Sequence, residues 1–132
     1  MRITWERCLT YFDARDRSRI IYLHEWNNEP FYWGKAQDSF FGGHKRTRDG
    51  LTASGRYNAG YRHWIEGCLR HGAKLYIGTP NDEALAHLNE VENFLIYTYG
   101  HVMNTRVRPP VRNLQIEHLG EVPSSIALHG DP

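Results

Sequence analysis

Residues 20–36, IIYLHEWNNEPFYWGKA, read as two strands folded back on each other. From Arg19 to Trp26 the residues are β-branched and aromatic. Tyr22, His24 and Trp26 alternate with Ile21, Leu23 and Glu25, which is the two-residue period of a strand. Asn27 and Asn28 tolerate turn dihedrals and Pro30 resists the interior of a paired strand, so NNEP reverses the chain. FYWGKA then supplies the second strand of a hairpin, ending at Gly34.

The second decisive stretch is NDEALAHLNEVENFLIYTYGHVMN, Asn81 to Asn104, which reads as one long helix followed by its exit. At about 100° per residue, Leu85, Leu88, Val91, Leu95, Ile96 and Tyr99 form one apolar stripe. Glu92 falls on that stripe. Glu90 falls roughly opposite, beside Glu83 and Phe94. An ionised carboxylate under an apolar helix face costs several kcal/mol unless something compensates it, so Glu92 needs a partner. Two are consistent with its position: an arginine of the same core, or a divalent cation at the floor of a cleft.

A chain of 132 residues forms one domain with one sizeable core, and 17 aromatic residues make that core rich in rings. No apolar run approaches the length of a membrane span, and the charged start MRITWERCLTYFDARDR does not read as a signal peptide, so a cytoplasmic protein with no membrane partner is expected. Cys8 and Cys68 lack zinc spacing and read as free buried thiols. His63 and His71 are too far apart along a helix to share an ion, and HExxH does not occur. The net charge of +1 hides a division: residues 35–74 hold eight Lys or Arg against three acids, whereas residues 79–103 hold four acids and no Lys or Arg. A basic middle beside an acidic helix suits a metal-dependent enzyme acting on a polyphosphate, and equally an internal pairing of opposite charges.

Residues 4–14 carry Trp5, Cys8, Leu9 and Phe12 at mixed helical spacing and are expected to form a short helix or cap. Residues 35–58 read as a glycine-rich basic loop, long enough to be functional or to hide a short helix. A helix from Asn58 to His71, stopped by Gly72, and a strand AKLYIG follow. After Gly100 come the basic extended stretch HVMNTRVRPPVRN, a last strand LQIEHLG and a polar tail. The fold class expected is α+β: a short, mainly antiparallel sheet flanked by helices. The domain has a core of about residues 19–104, a basic extension and strand at 105–120, and a tail at 121–132.

Ile20-Ile21-Tyr22, nine residues, then Tyr32-Trp33-Gly34 with Lys35-Ala36 after it, resemble the paired motifs of the GIY-YIG nuclease family. The excision-repair branch, with Gly-Lys-Ala after its second tyrosine, is the nearest local match. The later order fits as well: a helix, a strand, then Glu92-Asn93-Phe94-Leu95-Ile96 and Asn104, similar to the family's acid helix and closing asparagine. The resemblance implies hydrolysis of DNA phosphodiester bonds with one Mg²⁺ or Mn²⁺ held by Glu92. Tyr22 would deprotonate the attacking water with Tyr32 beside it, nearby cations such as Lys35 favouring the phenolate, since a free tyrosine titrates near 10. An arginine of the basic loop would bind the phosphate in the transition state, and Asn104 would bind or brace the site. Gly34, Lys45, Arg48, Arg56, Arg106 and Arg108 would contact DNA.

The chain departs from the family pattern at two places. The first glycine is Ile20, and the position of the usual arginine, eight residues after Gly34, is Gly42. Arg46 is the favoured substitute, with Arg48 and Arg56 as the others. Pairing Trp26 with Phe31 would send Tyr22 and Tyr32 to opposite faces, so for both to line one cleft the hairpin must have an odd turn or a bulge, and such an irregularity is expected. His24 is expected to be partly exposed, with a place on the catalytic face as the alternative. Arg106, Arg108 and Arg112 form a solvated basic edge or phosphate contacts. The alternative function is a noncatalytic nucleic-acid-binding or partner-binding module. Without a zinc finger or helix-turn-helix pattern, specificity would come from this domain, a homodimer or a partner protein.

Overall fold

The alternation at residues 20–36 folds as a hairpin of β2 (Ser18–Trp26) and β3 (Glu29–Phe40). The computed structural model describes residues 1–42, 44–47, 50–53, 59–105 and 107–128, with backbone alone at 44–47, 50–53 and 59–61. Asn27 and Asn28 both take left-handed φ, 53° and 64°, and join Trp26 to Glu29 in a two-residue turn whose twist matches the strands. Pro30 is the second residue of β3 rather than a turn residue, and it pairs with Glu25. A proline is tolerated there because it sits at the strand start.

Around the hairpin runs a seven-stranded sheet in the order β5-β4-β3-β2-β6-β1-β7, completed by β1 (Arg2–Cys8), β4 (His44–Thr47), β5 (Gly50–Ala53), β6 (Lys74–Pro80) and β7 (Glu117–Gly120). Every pairing is antiparallel except β1 with β7. Helices lie on both faces, so the fold is α+β as expected. On one face α3 (Asp82–Ala86) and α4 (Leu88–Tyr99) cover Ile3, Trp5, Ile21, Leu23 and Trp33. On the other, α1 (Tyr11–Ala14) and α2 (Ala59–Arg70) cover Ile20, Tyr22, Ala36, Leu75 and Ile77. None of the described helices is long and apolar enough to cross a membrane.

Four expectations are corrected. Residues 2–8 form a strand, because Ile3 and Trp5 alternate inward and β6 and β7 pair on either side of them, and the short helix expected within 4–14 is confined to α1. Basic residues 35–58 are not mainly loop: β3 continues to Phe40, and β4 and β5 follow as a second hairpin. The organising helix is two helices broken at His87 (φ −121°, ψ 36°), and Phe94 is buried in the core instead of lying on the outer side. The tail contains α5 (Ser124–Ala127), which buries Ser125 and Ile126. Cys8 and Cys68 are free; burial pushes the Cys8 thiol up to about 11, which keeps it protonated and unreactive.

Candidate active site

The site begins with one extra residue in β3. Trp26 pairs with Glu29 and Glu25 with Pro30, but His24 pairs with Tyr32, so Phe31 is skipped. This bulge is the irregularity the tyrosines required. From it onward Leu23 faces Trp33 and Tyr22 faces Gly34, which puts Tyr22, His24, Tyr32 and Gly34 on one face of the sheet. The Tyr22 and Tyr32 rings lie 6.2 Å apart.

Gly34 lets the Tyr22 phenol cross β3. A Cβ built at residue 34 would overlap Tyr22 Cζ and Oη, so only glycine leaves the ring its place over the strand. The phenol thereby belongs both to the buried core beneath α2 and to the open edge of β3. Gly34→Ala is expected to keep the fold and displace the ring. Its circular dichroism should match the wild type, while any activity of the Tyr22 phenol falls at least about tenfold, as a displacement of about 1 Å produces.

Trp33 points to the opposite face, is fully buried and donates its indole N–H to the Gly100 carbonyl at 2.8 Å. Its backbone N–H and carbonyl pair with Asn104 Oδ1 (2.9 Å) and Nδ2 (2.7 Å), so the asparagine amide stands where a neighbouring strand would be. The Phe31 carbonyl accepts from Val102 and Met103 N–H. Asn104 is therefore a brace, one of the two roles expected of it. Farther along the same edge β4 joins at Ser39, paired with Lys45, so residues 34–38 lie between the two attachments.

Into that opening α4 brings Glu92. The resulting cleft, about 470 Å³, is lined by both tyrosines, Gly34, Lys35, Glu92 and Asn104, together with Met103 and Thr105. The Glu92 side chain is 21% exposed, and Lys35 Nζ lies 3.5 Å from its Oε1. Burial pushes the Glu92 carboxyl up, and the Lys35 charge and hydrogen bond pull it back part of the way. The partner is thus a lysine across the sheet edge, where the sequence suggested an arginine or a cation. Oε2 takes no hydrogen bond from a described residue. Glu90 is as sheltered as Glu92, at 23% exposed, but its carboxylate takes a two-pronged bond from Arg112 (2.8 and 3.1 Å) that holds it below the usual range.

Among the described residues no three His, Cys, Asp or Glu side chains converge to form a closed metal cage. A single half-sheltered carboxylate in a polar cleft, with one oxygen that no described residue engages, fits a hard divalent cation that keeps most of its waters and takes the rest of its shell from a phosphate. No family model, curated protein or solved structure matches the chain. The motifs and the cleft they build therefore carry the functional reading on their own.

Lys45 and Arg46 lie on β4 opposite Thr52 and Leu51, while Arg48, Arg56 and Arg106 lie outside the described residues. Arg108 is exposed and away from the cleft, its backbone held by Asn93 at 2.8 and 3.1 Å. Arg112 is committed to Glu90. Gly42 is packed so closely on Arg15 and Tyr11 that a Cβ there would sit 2.8 Å from Arg15 Cβ, so that position has no room for the family's arginine. A second groove, about 640 Å³ between α1 and α2, is larger, but its one carboxylate, Glu66, is tied to Arg62 at 3.2 Å.

His24 corrects the expectation of partial exposure. It is 1% exposed, on the tyrosine face, enclosed by the rings of Tyr22, Tyr32, Phe41 and Trp64, with Nε2 unpaired. Burial holds its pKa down to about 4, so the folded imidazole stays neutral while the unfolded one protonates below about 6.5. The depressed value means stability that is present above pH 6.5 and lost as pH falls toward 4, and His118, also near 4, adds to it. Urea midpoints measured across this window should drop with acid, and His24→Phe should flatten the slope without lowering stability at neutral pH.

Proposed function

We propose that the chain is a GIY-YIG-type, divalent-metal-dependent endonuclease that hydrolyses a DNA phosphodiester bond in the β3-edge cleft. The observation that supports this most is the meeting of a phenol and a carboxylate from opposite faces of the sheet in one polar opening, made possible by Gly34. Tyr22, as its phenolate, accepts the proton of the attacking water and becomes the phenol, and Tyr32 flanks it. Lys35, which screens Glu92 in the free protein, turns to a phosphate oxygen when DNA enters. Arg46 is the favoured donor to the transition-state phosphate, ahead of Arg48 and Arg56. Asn104 holds β3 and the 100–104 segment in register, so that the cleft keeps its width. Mg²⁺ or Mn²⁺ bound at Glu92 would supply charge neutralisation on the phosphate and the leaving 3′-oxygen. Gly34 serves the site by making room for the Tyr22 ring, and Lys45, Arg48, Arg56, Arg106 and Arg108 serve the DNA backbone. A DNA substrate and free thiols at Cys8 and Cys68 suit a reducing, cytoplasmic setting. A homodimer or a partner protein would add specificity.

Incubation with supercoiled plasmid tests this reading. Nicking is expected with Mg²⁺ or Mn²⁺ and not with chelator, and Tyr22→Phe should slow it about a hundredfold. The closed packing at Gly42 favours one other reading, a noncatalytic DNA-binding module that lacks the phosphate-clamping arginine. Salt-sensitive binding with no cutting by the wild type would establish that module in place of the enzyme.

A further inference from the structure

The open stretch of β3 presents main-chain groups as well as side chains. Trp33 turns its N–H and carbonyl away from β2 to Asn104, and the register from Leu23–Trp33 to Ile20–Ala36 is unbroken. In an antiparallel ladder every second residue turns the same way, so the N–H and carbonyl of Lys35 also point away from β2. Farther along, Ser39 is met by Lys45 of β4. The edge is thus covered at Trp33 and at Ser39, whereas the Lys35 N–H and carbonyl make no hydrogen bond with a described residue. Folded proteins pair or cover their strand edges, so an amide left bare between two covered positions is an exception. Its neighbours on either face are the reacting groups of the cleft. Tyr22 Oη packs against Gly34, the residue before the Lys35 nitrogen, where a Cβ would lie 2.3 Å from that oxygen. On the opposite face the Lys35 side chain reaches Glu92. The Lys35 N–H therefore stands at the sheet edge between the phenol and the carboxylate.

We propose that the Lys35 main-chain N–H donates to a non-bridging oxygen of the scissile phosphate and binds it more tightly as charge builds in the transition state. The inference rests on the cleft being a phosphodiester site and adds a catalytic group to it. A phosphate attacked by a water at Tyr22 and neutralised at Glu92 spans the edge between them, and there it meets this N–H. The strand fixes the donor in place, so it costs no reorganisation when the charge develops. Part of the task of the family's arginine, for which Gly42 leaves no room, thereby passes to a group that no side-chain pattern reveals. The Lys35 carbonyl, turned the same way, offers an acceptor to the attacking water. A peptide strand fits the edge less well. Strands usually run five or six residues, and Asn104 and Lys45 close the edge at both ends, leaving residues 34–38 between them.

Replacing one atom tests this. The α-hydroxy analogue of lysine at position 35 puts an ester oxygen where the N–H was and keeps the side chain. Single-turnover cleavage of plasmid with Mn²⁺ is compared with the wild type, alongside thermal unfolding, Mn²⁺ binding, and DNA binding in chelator. The ester protein should melt close to the wild type, bind Mn²⁺ and DNA within about threefold, and cut about a hundredfold more slowly. Lys35→Pro set against Lys35→Ala repeats the comparison with ordinary residues. Both lack the ammonium, but only proline lacks the N–H, which an open strand edge tolerates, so proline should cut more slowly than alanine by a similar factor. Cleavage by the ester protein within about threefold of the wild type overturns the assignment and leaves the cleft reading standing. A large fall in its melting temperature also overturns it, because the N–H would then serve the fold. A loss that resides wholly in weaker DNA binding overturns it as well, because the contact would then be made equally in the ground state. Failure of the wild type to cut removes the cleft reading and this inference together.

Discussion

Glu92→Gln is expected to reduce metal-dependent nicking by about a thousandfold or more, whereas Glu90→Gln leaves it within about twofold. The two acids are two residues apart on α4 and differ in what surrounds them. Both are mostly sheltered, but Glu92 faces a polar cleft and has one weakly placed cation at 3.5 Å. Glu90 sits on the far side of the helix, fully engaged by Arg112. A carboxylate that holds the cation contributes several kcal/mol of charge stabilisation in the transition state, about 1.4 kcal/mol per tenfold in rate. Glutamine keeps the shape and removes the charge. Because burial disfavours the ionised form of Glu92, losing that charge should not unfold the protein, and Lys35, itself partly exposed, can turn to water. The expected pattern is an unchanged or slightly raised melting temperature, lost cutting, and lost Mn²⁺ binding by titration calorimetry without DNA. Loss of cutting in Glu90→Gln with retention in Glu92→Gln would mean that the opposite side of the helix carries the function.

The hairpin and the acid on α4 were legible because both depend on local periodicity. Alternation in IIYLHEW gave β2, the three-and-four spacing of Leu88, Val91 and Leu95 gave α4, and Glu92 stood out against that apolar background. The bulge at Phe31 was legible only as a requirement: nothing in FYW names the skipped residue, yet two tyrosines cannot line one opening without it. What stayed hidden depends on partners distant in sequence. Trp5, Cys8, Leu9 and Phe12 mimic helical spacing, and residues 2–8 become a strand only because β6 and β7 lie on either side of them. His24 looked amphipathic in its strand, but the rings that enclose it come from β3, Phe41 and α2. The break at His87 leaves the apolar stripe in phase on both sides, so a helical wheel does not reveal it. Gly34 was recognised as a motif letter, while its physical task, making room for the Tyr22 ring, requires coordinates.

Glu25 was missed altogether, and it carries the largest expected effect on stability. In the sequence it is the polar member of a strand alternation. In the fold it is fully buried, and its carboxylate accepts from the Ser124 hydroxyl, from the Ser125 hydroxyl at 2.6 Å and from the Ser125 N–H at 2.9 Å. Three donors at the start of α5 thus compensate a charge that the interior would otherwise reject. The Ser124 hydroxyl also lies 3.0 Å from the Asn28 side-chain amide, placing the same network beside the two-residue turn that joins β2 and β3. Glu25→Ala leaves these donors unpaired and opens a gap beneath α5, so a loss of about 3 kcal/mol is expected, a fall in melting temperature of roughly 10 °C. Ser125→Ala, which removes one hydroxyl and spares the backbone donor, should cost about 2 kcal/mol. The double variant should cost less than the sum, because each substitution removes part of what the other removes. Urea unfolding of the four proteins measures this directly. Additive losses would mean that carboxylate and serine act independently, and a Glu25→Ala protein as stable as the wild type would mean that α5 is held by Ile126 packing alone. If the network steadies the turn beside it, Glu25→Ala should also lose nicking at temperatures well below its own melting point, since the register that brings Tyr22 over Gly34 begins at Asn28.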